Sequence, residues 1–402
     1  MHQQKTLSLQ STKSVMLIYL FRILMSNKFL FFLICVVNLR DFLDNLHKYE
    51  FKRQPLEQLY SKSQIKQCKE IYESLDFDYP SAAHNVLSFL GSKTKSRRRT
   101  QIYRTKNGDT KVIAKSYPGS LDIIKRLTFP LNRELLKREF LTNAQHLDLQ
   151  FCPHESIQQF VNFFSITSGH NETTVWLCML TNAQLILQPY FEMHGFPVPA
   201  TYGICGFTVF QEHVGKTLDH FYNANFRIKL RIAIQLLQAA LKFTNGFEGY
   251  RIYITDLTAD NLVYNVKRDK LYFIDLNTAY IVDAKSVINT EAVDHHELIE
   301  CNDCFAFIPD RLCQNSISDL NLLESCLFLR EDLKGDRVKG FLGPLPMQVL
   351  VKYPLLVRLL DWCVEGGDSS EGNTFENMAR FRATINLIEL LKSILNDNKV
   401  IL

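Results

Sequence analysis

A chain of 402 residues, 46% of them apolar and 22% charged, is long enough for a large buried core and for about two to three domains or lobes, which excludes a disordered or low-complexity polypeptide. A net charge of +4 and a pI near 8.4 are too mild for a nucleic-acid binder, which would concentrate basic residues on one face.

Residues 1–40 hold two apolar runs, Val15 to Phe21 and Phe29 to Val37, separated by Arg22, Ser26, Asn27 and Lys28. Charged and amide groups at that depth argue against one continuous membrane span. Read from Met25, Met25 to Lys28 makes a short basic n-region and Phe29 to Val37 an h-region of signal-peptide length. Cys35-Val36-Val37-Asn38 lacks a small-residue cleavage pattern, so residues 1–40 are expected to be a signal peptide or an uncleaved signal anchor, and any membrane attachment runs through them. Residues 41–100 form an N-terminal extension. Its basic run, Lys93 to Arg99, reads as a solvated turn, with a processing site or an anionic-ligand patch as alternatives.

Two strand-like runs, Gln101 to Arg104 and Lys111 to Lys115, flank Asn107-Gly108-Asp109 and predict a hairpin. Lys115 ends the run Val112-Ile113-Ala114-Lys115, where an ammonium would bridge the α and β phosphates of a nucleotide and pair with a helix glutamate. The next helix, Leu131 to Leu141, offers Glu134 and Glu139. Leu135, Leu136 and Phe140 put the buried face near Glu139, whereas Glu134 can pair with Arg138 along the surface. Only Gly91 precedes the first strand and no Gly-x-Gly-x-x-Gly occurs, so a close-fitting phosphate loop is not encoded.

Phe207 to Asp219 predicts a strand that crosses through Glu212 to Leu218 into a helix. Backbone groups around Glu212 would receive an adenine there, or the segment is a plain strand-to-helix turn. Leu230, Ile234, Leu237 and Leu241 form a helical stripe within Arg227 to Phe243, stopped at Asn245-Gly246. That helix would support the most telling segment, Asp256-Leu257-Thr258-Ala259-Asp260-Asn261, followed by a strand that delivers Asp275. An Asp, four residues, an Asn and a second Asp after a strand is the layout of a phosphotransfer loop. Asp256 would take a hydroxyl proton, while Asn261 and Asp275 would hold Mg2+ or Mn2+ against ATP. Ile254 and Thr255 stand where His and Arg are usual, Thr258 replaces a Lys, and Leu276-Asn277 replace Phe-Gly. No Ala-Pro-Glu follows. Two closing helices are predicted over Met347 to Cys363 and Phe375 to Leu395, around a loop from Glu365 to Gly372.

Beyond Cys35 and Cys68, the cysteines are Cys152, Cys178, Cys205, Cys301, Cys304, Cys313, Cys326 and Cys363. Cys301 and Cys304 lack a second closely spaced pair, which disfavours zinc; disulfides in an oxidising lumen are expected among these eight. With Cys68 the count is nine, so at least one thiol stays unpaired. Asn171-Glu172-Thr173 is the one N-glycosylation triplet, placing Asn171 as the acceptor.

From Gly195-Phe196-Pro197 through Cys326 the chain resembles the divergent protein kinase domain family, in particular its second, secretory-pathway subgroup. The resemblance rests on Gly203-Ile204-Cys205-Gly206, Asp256 to Asn261, Ile274-Asp275 and the Cys304, Cys313, Cys326 spacing, with Phe151-Cys152-Pro153 and Leu359 to Cys363 as further matches. The family's cysteine-rich N-terminal portion is largely missing, with Cys68 alone. The resemblance implies an α+β, protein-kinase-like bilobal fold. A small β-rich lobe would span 101–210, and a larger, mostly helical lobe would span 211–402 with the cysteine cluster 301–326. It also implies a Golgi or secreted location. The expected activity is phosphate transfer from metal-bound ATP to a lumenal or extracellular protein. Alternatively, the chain is an inactive pseudokinase serving as a secreted ligand for a receptor or as a trafficking adaptor. Lacking the Arg before Asp256, any activity would be constitutive or partner-driven.

Overall fold

The computed structural model describes residues 70–71, 73–76, 99–106, 108, 110–116, 132–144, 147, 149–205, 208–297, 299–301, 304–366 and 378–397. The segment 1–40, Cys68, Gly91, the run Lys93 to Arg98 and the loop 367–377 lie outside them.

Strands β1 (Leu75–Asp76), β2 (Arg99–Thr105) and β3 (Lys111–Ser116) begin the fold. The expected hairpin is present, with Arg104 opposite Lys111 and Thr100 opposite Lys115. Its turn has Gly108 at φ 77°, a left-handed conformation that suits glycine. Two later strands, β5 (Thr201–Cys205) and β6 (Thr208–Glu212), complete an antiparallel sheet of order β1-β2-β3-β6-β5. Strand alternation sorts β3: Val112 and Ala114 pack with Leu75, Cys205 and Phe210 on one face, and Lys115 points from the other.

Between β3 and β5 run α1 (Arg133–Asn143), β4 (Gln150–Cys152), α2 (Ile157–Ser168), α3 (Glu172–Thr181) and α4 (Gln184–Met193). Asn132 and Asn171 cap α1 and α3 by accepting backbone N–H groups, as short polar side chains do at helix starts. Phe140 of α1 meets Trp176 of α3 edge-on at 5.7 Å, so the buried face of α1 is spent on α3. Although β4 lies within the span assigned to the small lobe, it pairs in parallel with β11 (Tyr280–Asp283) of the larger part.

That larger part starts at β7 (Lys216–Thr217) and the long α5 (Phe226–Asn245), whose stripe buries Leu230, Ile234 and Leu237 as expected. Gly246 ends it at φ 64°, where a Cβ would lie 1.8 Å from the Tyr250 carbonyl oxygen; only glycine fits. Next come β8 (Tyr250–Tyr253), β9 (Leu262–Asn265) and β10 (Lys270–Phe273). β8 pairs with β11, and β10-β9-β7 form a second small sheet. After β12 (Asn289–Asp294), β13 (Ile299–Cys301), β14 (Cys304–Ala306), α6 (Pro309–Gln314) and β15 (Asn315–Ser318), the chain is helical: α7 (Leu320–Arg330), α8 (Met347–Lys352), α9 (Leu355–Glu365) and α10 (Ala379–Asn396). The single helix expected over Met347 to Cys363 is thus two. Pro354 has no N–H to continue α8 and disfavours helical backbone at Tyr353, which sits at φ −127°, ψ 60°. Together these elements make the bilobal, protein-kinase-like α+β fold.

Disulfides Cys152–Cys313 and Cys326–Cys363 join elements distant in sequence, and Cys205 is disulfide-bonded too. Cys178 departs from expectation. It is a free thiol buried on α3, and burial among apolar side chains pushes its pKa up to about 12, making it a small hydrophobe. Cys301 and Cys304 stand opposite each other in the β13–β14 register.

One polar knot lies inside the helical part. Arg380 of α10 is fully buried; its Nη1 donates to Asp319 Oδ2 and to His296 O at 2.9 Å. Its Nε reaches Cys363 O at 2.9 Å and its Nη2 reaches Val364 O at 2.8 Å. Asp319 also accepts the His296 N–H at 2.8 Å and lies 2.8 Å from His295 Nδ1. Because His296 Nε2 accepts the Ile308 N–H at 3.2 Å, its Nδ1 carries the hydrogen that meets Asp294 at 2.7 Å.

Candidate active site

β8 runs into the Asp256 loop, which closes on itself. Thr258 N–H donates to Asp256 O at 3.1 Å, Asn261 N–H to Thr258 O at 3.1 Å, and Asn261 Nδ2 to Asp256 O at 3.0 Å. With its amide nitrogen spent on backbone, Asn261 presents Oδ1, an oxygen suited to a hard cation. Asn321 of α7 holds the loop's approach, accepting Ile254 N–H at 2.9 Å and donating to Ile252 O at 2.7 Å and Thr244 Oγ1 at 3.0 Å. The Thr255 hydroxyl donates to Thr278 O, tying the position that lacks an Arg to the stretch after Asp275.

The two halves of the motif meet directly. Ile274 N–H donates to Asn261 O at 3.0 Å, which sets Asp275 beside Asn261 although 14 residues separate them. Lys115 Nζ donates to Ile274 O, so the strand lysine lies against the residue before Asp275. Asp275 Oδ1 accepts both the backbone N–H of Asn277 (3.1 Å) and its Nδ2 (2.7 Å). Asn277 Nδ2 in turn donates to Gln184 Oε1 of α4 at 3.1 Å, and Gln184 Nε2 to Gln188 Oε1 at 2.5 Å. Asn277, Gln184 and Gln188 are buried, and this chain of amides fixes the Asp275 carboxylate. Among the described residues no group of three or more His, Cys, Asp or Glu could hold a metal ion. The candidate donors are the Asp275 carboxylate and the Asn261 amide oxygen, both hard ligands that fit Mg2+ or Mn2+.

Residues 175–366 match the family described as "Protein-kinase domain of FAM69". Two curated relatives named "Divergent protein kinase domain 2A", from Xenopus tropicalis and Homo sapiens, are each 25% identical over 222 residues, 53% of this chain and 50% of theirs. The Mus musculus protein of that name is 25% identical over 188 residues, 44% of each chain. Over these residues the chain is similar to the divergent protein kinase domain family. The chain spans about half the length of the curated relatives it matches. Among solved structures, vaccinia related kinase 3 aligns over 77% of this chain and 86% of its own, at 12% identity and TM-score 0.34. Choline kinase LicA from Streptococcus pneumoniae aligns over 78% and 98%, at 9% identity and TM-score 0.23.

Lys115, Asn261 and Asp275 converge through Ile274, while Glu139 and Glu212 do not join them. Glu139 stays on α1, where its carboxylate accepts Asn143 Nδ2 at 3.4 Å, because Leu136 and Phe140 turn that helix toward α3. The helix that reaches the Asp275 turn is α4, and it brings glutamines. Glu212 turns its carboxylate to Arg268, with contacts of 2.6 and 2.9 Å, and its N–H goes to Ala200 O. The crossing beyond it needs Gly215 at φ 153°, where a Cβ would meet Tyr264 O at 2.6 Å.

Sequence reading missed Gln184, Gln188 and Asn321, and took Asn277 only as a departure from Phe-Gly. Their spacing carries no motif, since each is placed by tertiary packing. Gln211 belongs with them: fully buried on the sheet face that carries Lys115, it has no hydrogen-bond partner for its amide among the described residues.

Proposed function

We propose that this divergent kinase domain binds ATP with Mg2+ or Mn2+ and transfers phosphate to a hydroxyl of a lumenal or extracellular protein. The observation that supports it is the convergence at Ile274 of Lys115, Asn261 and Asp275. Asn261 and Asp275 would hold the cation, which when bound neutralises phosphate charge. Lys115 contributes a positive charge from a buried strand position, and Asp256 orients the attacking hydroxyl and accepts its proton. Cys152–Cys313 and Cys326–Cys363 favour an oxidising compartment, Golgi lumen or outside the cell. Asn171 is exposed, and its Oδ1 alone serves as the α3 cap, leaving Nδ2 to a glycan. Among the described residues no helix is long and apolar enough to cross a membrane.

A second reading, a pseudokinase acting as a secreted ligand or adaptor, draws on Gln184 standing in the Lys115 region where a carboxylate would pair with the ammonium. Thermal unfolding of the full chain with MgATP or MnATP separates the two. At a concentration about a hundredfold above the dissociation constant, wild type should gain about 2.7 kcal/mol and Asp275→Ala almost none. No gain in wild type overturns nucleotide binding, and a gain without transfer to any lumenal protein selects the adaptor.

A further inference from the structure

Gln211 lies two positions along β6 from Val209, the register partner of Lys115, so strand alternation turns Val209 and Gln211 to the Lys115 face of the sheet. That face looks toward the Asp275 segment, because Lys115 Nζ reaches Ile274 O. Gln211 is 0% exposed, and neither its Oε1 nor its Nε2 has a hydrogen-bond partner among the described residues. Its register partner on β5, Thr201, carries a buried and equally unpartnered Oγ1 on the same face. Three orphaned polar atoms on two cross-strand neighbours are a cost that the fold does not recover from its own groups. The α4 glutamines do not relieve it. Gln184 Nε2 is given to Gln188 Oε1 at 2.5 Å, and Gln188 Nε2 to Pro199 O at 3.3 Å.

We propose that Gln211 is a specificity-determining residue that reads the six-position edge of a purine base. This rests on the nucleotide-binding reading above and extends it to the choice of base. Gln211 stands about 7 Å along the sheet from the Lys115 pair and immediately before Glu212, where the chain crosses out of β6. A nucleotide with its phosphates at Lys115 and Asp275 and its base toward that crossing passes the amide. A primary amide sets an acceptor beside a donor. Its Oε1 would accept the 6-amino group of adenine while Nε2 donates to N1. Turned over about its last torsion, the same amide would donate to the 6-oxo group of guanine and accept from N1–H, so the site takes ATP and GTP alike. A pyrimidine, one ring shorter, stops short of it.

The test compares wild type with Gln211→Met, an apolar side chain of similar length, in the full chain. Without nucleotide, Gln211→Met should raise the unfolding midpoint by a few degrees, since it removes buried polar atoms that nothing pairs. Titrated with MgATP, MgGTP, MgCTP and magnesium tripolyphosphate, wild type should bind ATP and GTP with similar affinity and CTP more weakly. Gln211→Met should weaken ATP and GTP each by about tenfold and leave tripolyphosphate, which has no base, unchanged. A lower midpoint for Gln211→Met would mean that the amide is satisfied within the fold, and it would overturn the proposal. So would unaltered nucleotide affinity, or an equal loss for tripolyphosphate. If Gln211→Met fails to fold, Gln211→Leu gives the same comparison. Wild type that responds to tripolyphosphate but to no nucleotide more strongly sinks the base contact alone, whereas silence toward all four probes sinks the nucleotide-binding reading with it.

Discussion

Arg380→Met should destabilise the fold by roughly 3–5 kcal/mol, read as a lower urea midpoint at an unchanged slope. The guanidinium is fully buried and spends Nε, Nη1 and Nη2 on Cys363, His296, Val364 and Asp319, so its loss leaves three carbonyls and one carboxylate without their donor. Most of the penalty comes from Asp319, which is 0% exposed and would lose its guanidinium partner. Asp319→Leu added to Arg380→Met should therefore recover part of the loss, because removing both members of a buried pair costs less than removing one. A loss under about 1 kcal/mol for Arg380→Met would mean that the knot is decoration.

The second large effect is covalent. Cys152 and Cys313 are 161 residues apart, and closing a loop of that length removes unfolded-chain entropy worth about 5 kcal/mol in the chain-entropy treatment, against about 4 for Cys326–Cys363 with its separation of 37. Replacing Cys152 and Cys313 by Ala should lower the denaturant midpoint more than replacing Cys326 and Cys363, both compared under non-reducing conditions. Cys178→Ala should leave sensitivity to reductant unchanged, since its thiol is unpaired. The opposite ranking of the two pairs would show that local packing, not loop length, governs their contribution.

The parts of the fold that could be read from sequence are those written in contiguous pattern. The hairpin from Gln101 to Lys115 has its alternation and turn on one short stretch, and the loop from Asp256 to Asn261 has fixed spacing. The helix facing Lys115 was not legible in that way. Proximity in sequence favoured Leu131 to Leu141 and Glu139, but Phe140 finds a better partner in Trp176, and α4 supplies Gln184 from farther along the chain. A neutral amide in a nearly all-apolar helix announces no chemistry until Asn277 is placed against it. Disulfide pairing was similarly hidden. Cys152 comes near the later cysteines because β4 lies parallel to β11, a pairing between strands more than a hundred residues apart. Pro354 lies inside the span from Met347 to Cys363, and its missing N–H divides that span into α8 and α9.

The Cys152–Cys313 bond also imposes a timetable on synthesis. A ribosome releases the chain from its N-terminal end at about 5–20 residues per second, so Cys152 waits roughly 8 to 30 s for a partner 161 residues behind it. Throughout that wait Cys178 is the nearest competing thiol downstream. Its seat inside α3, among Trp176, Leu177 and Met179, withdraws it from exchange once the early helices have packed, so the interior placement of one cysteine guards the pairing of another.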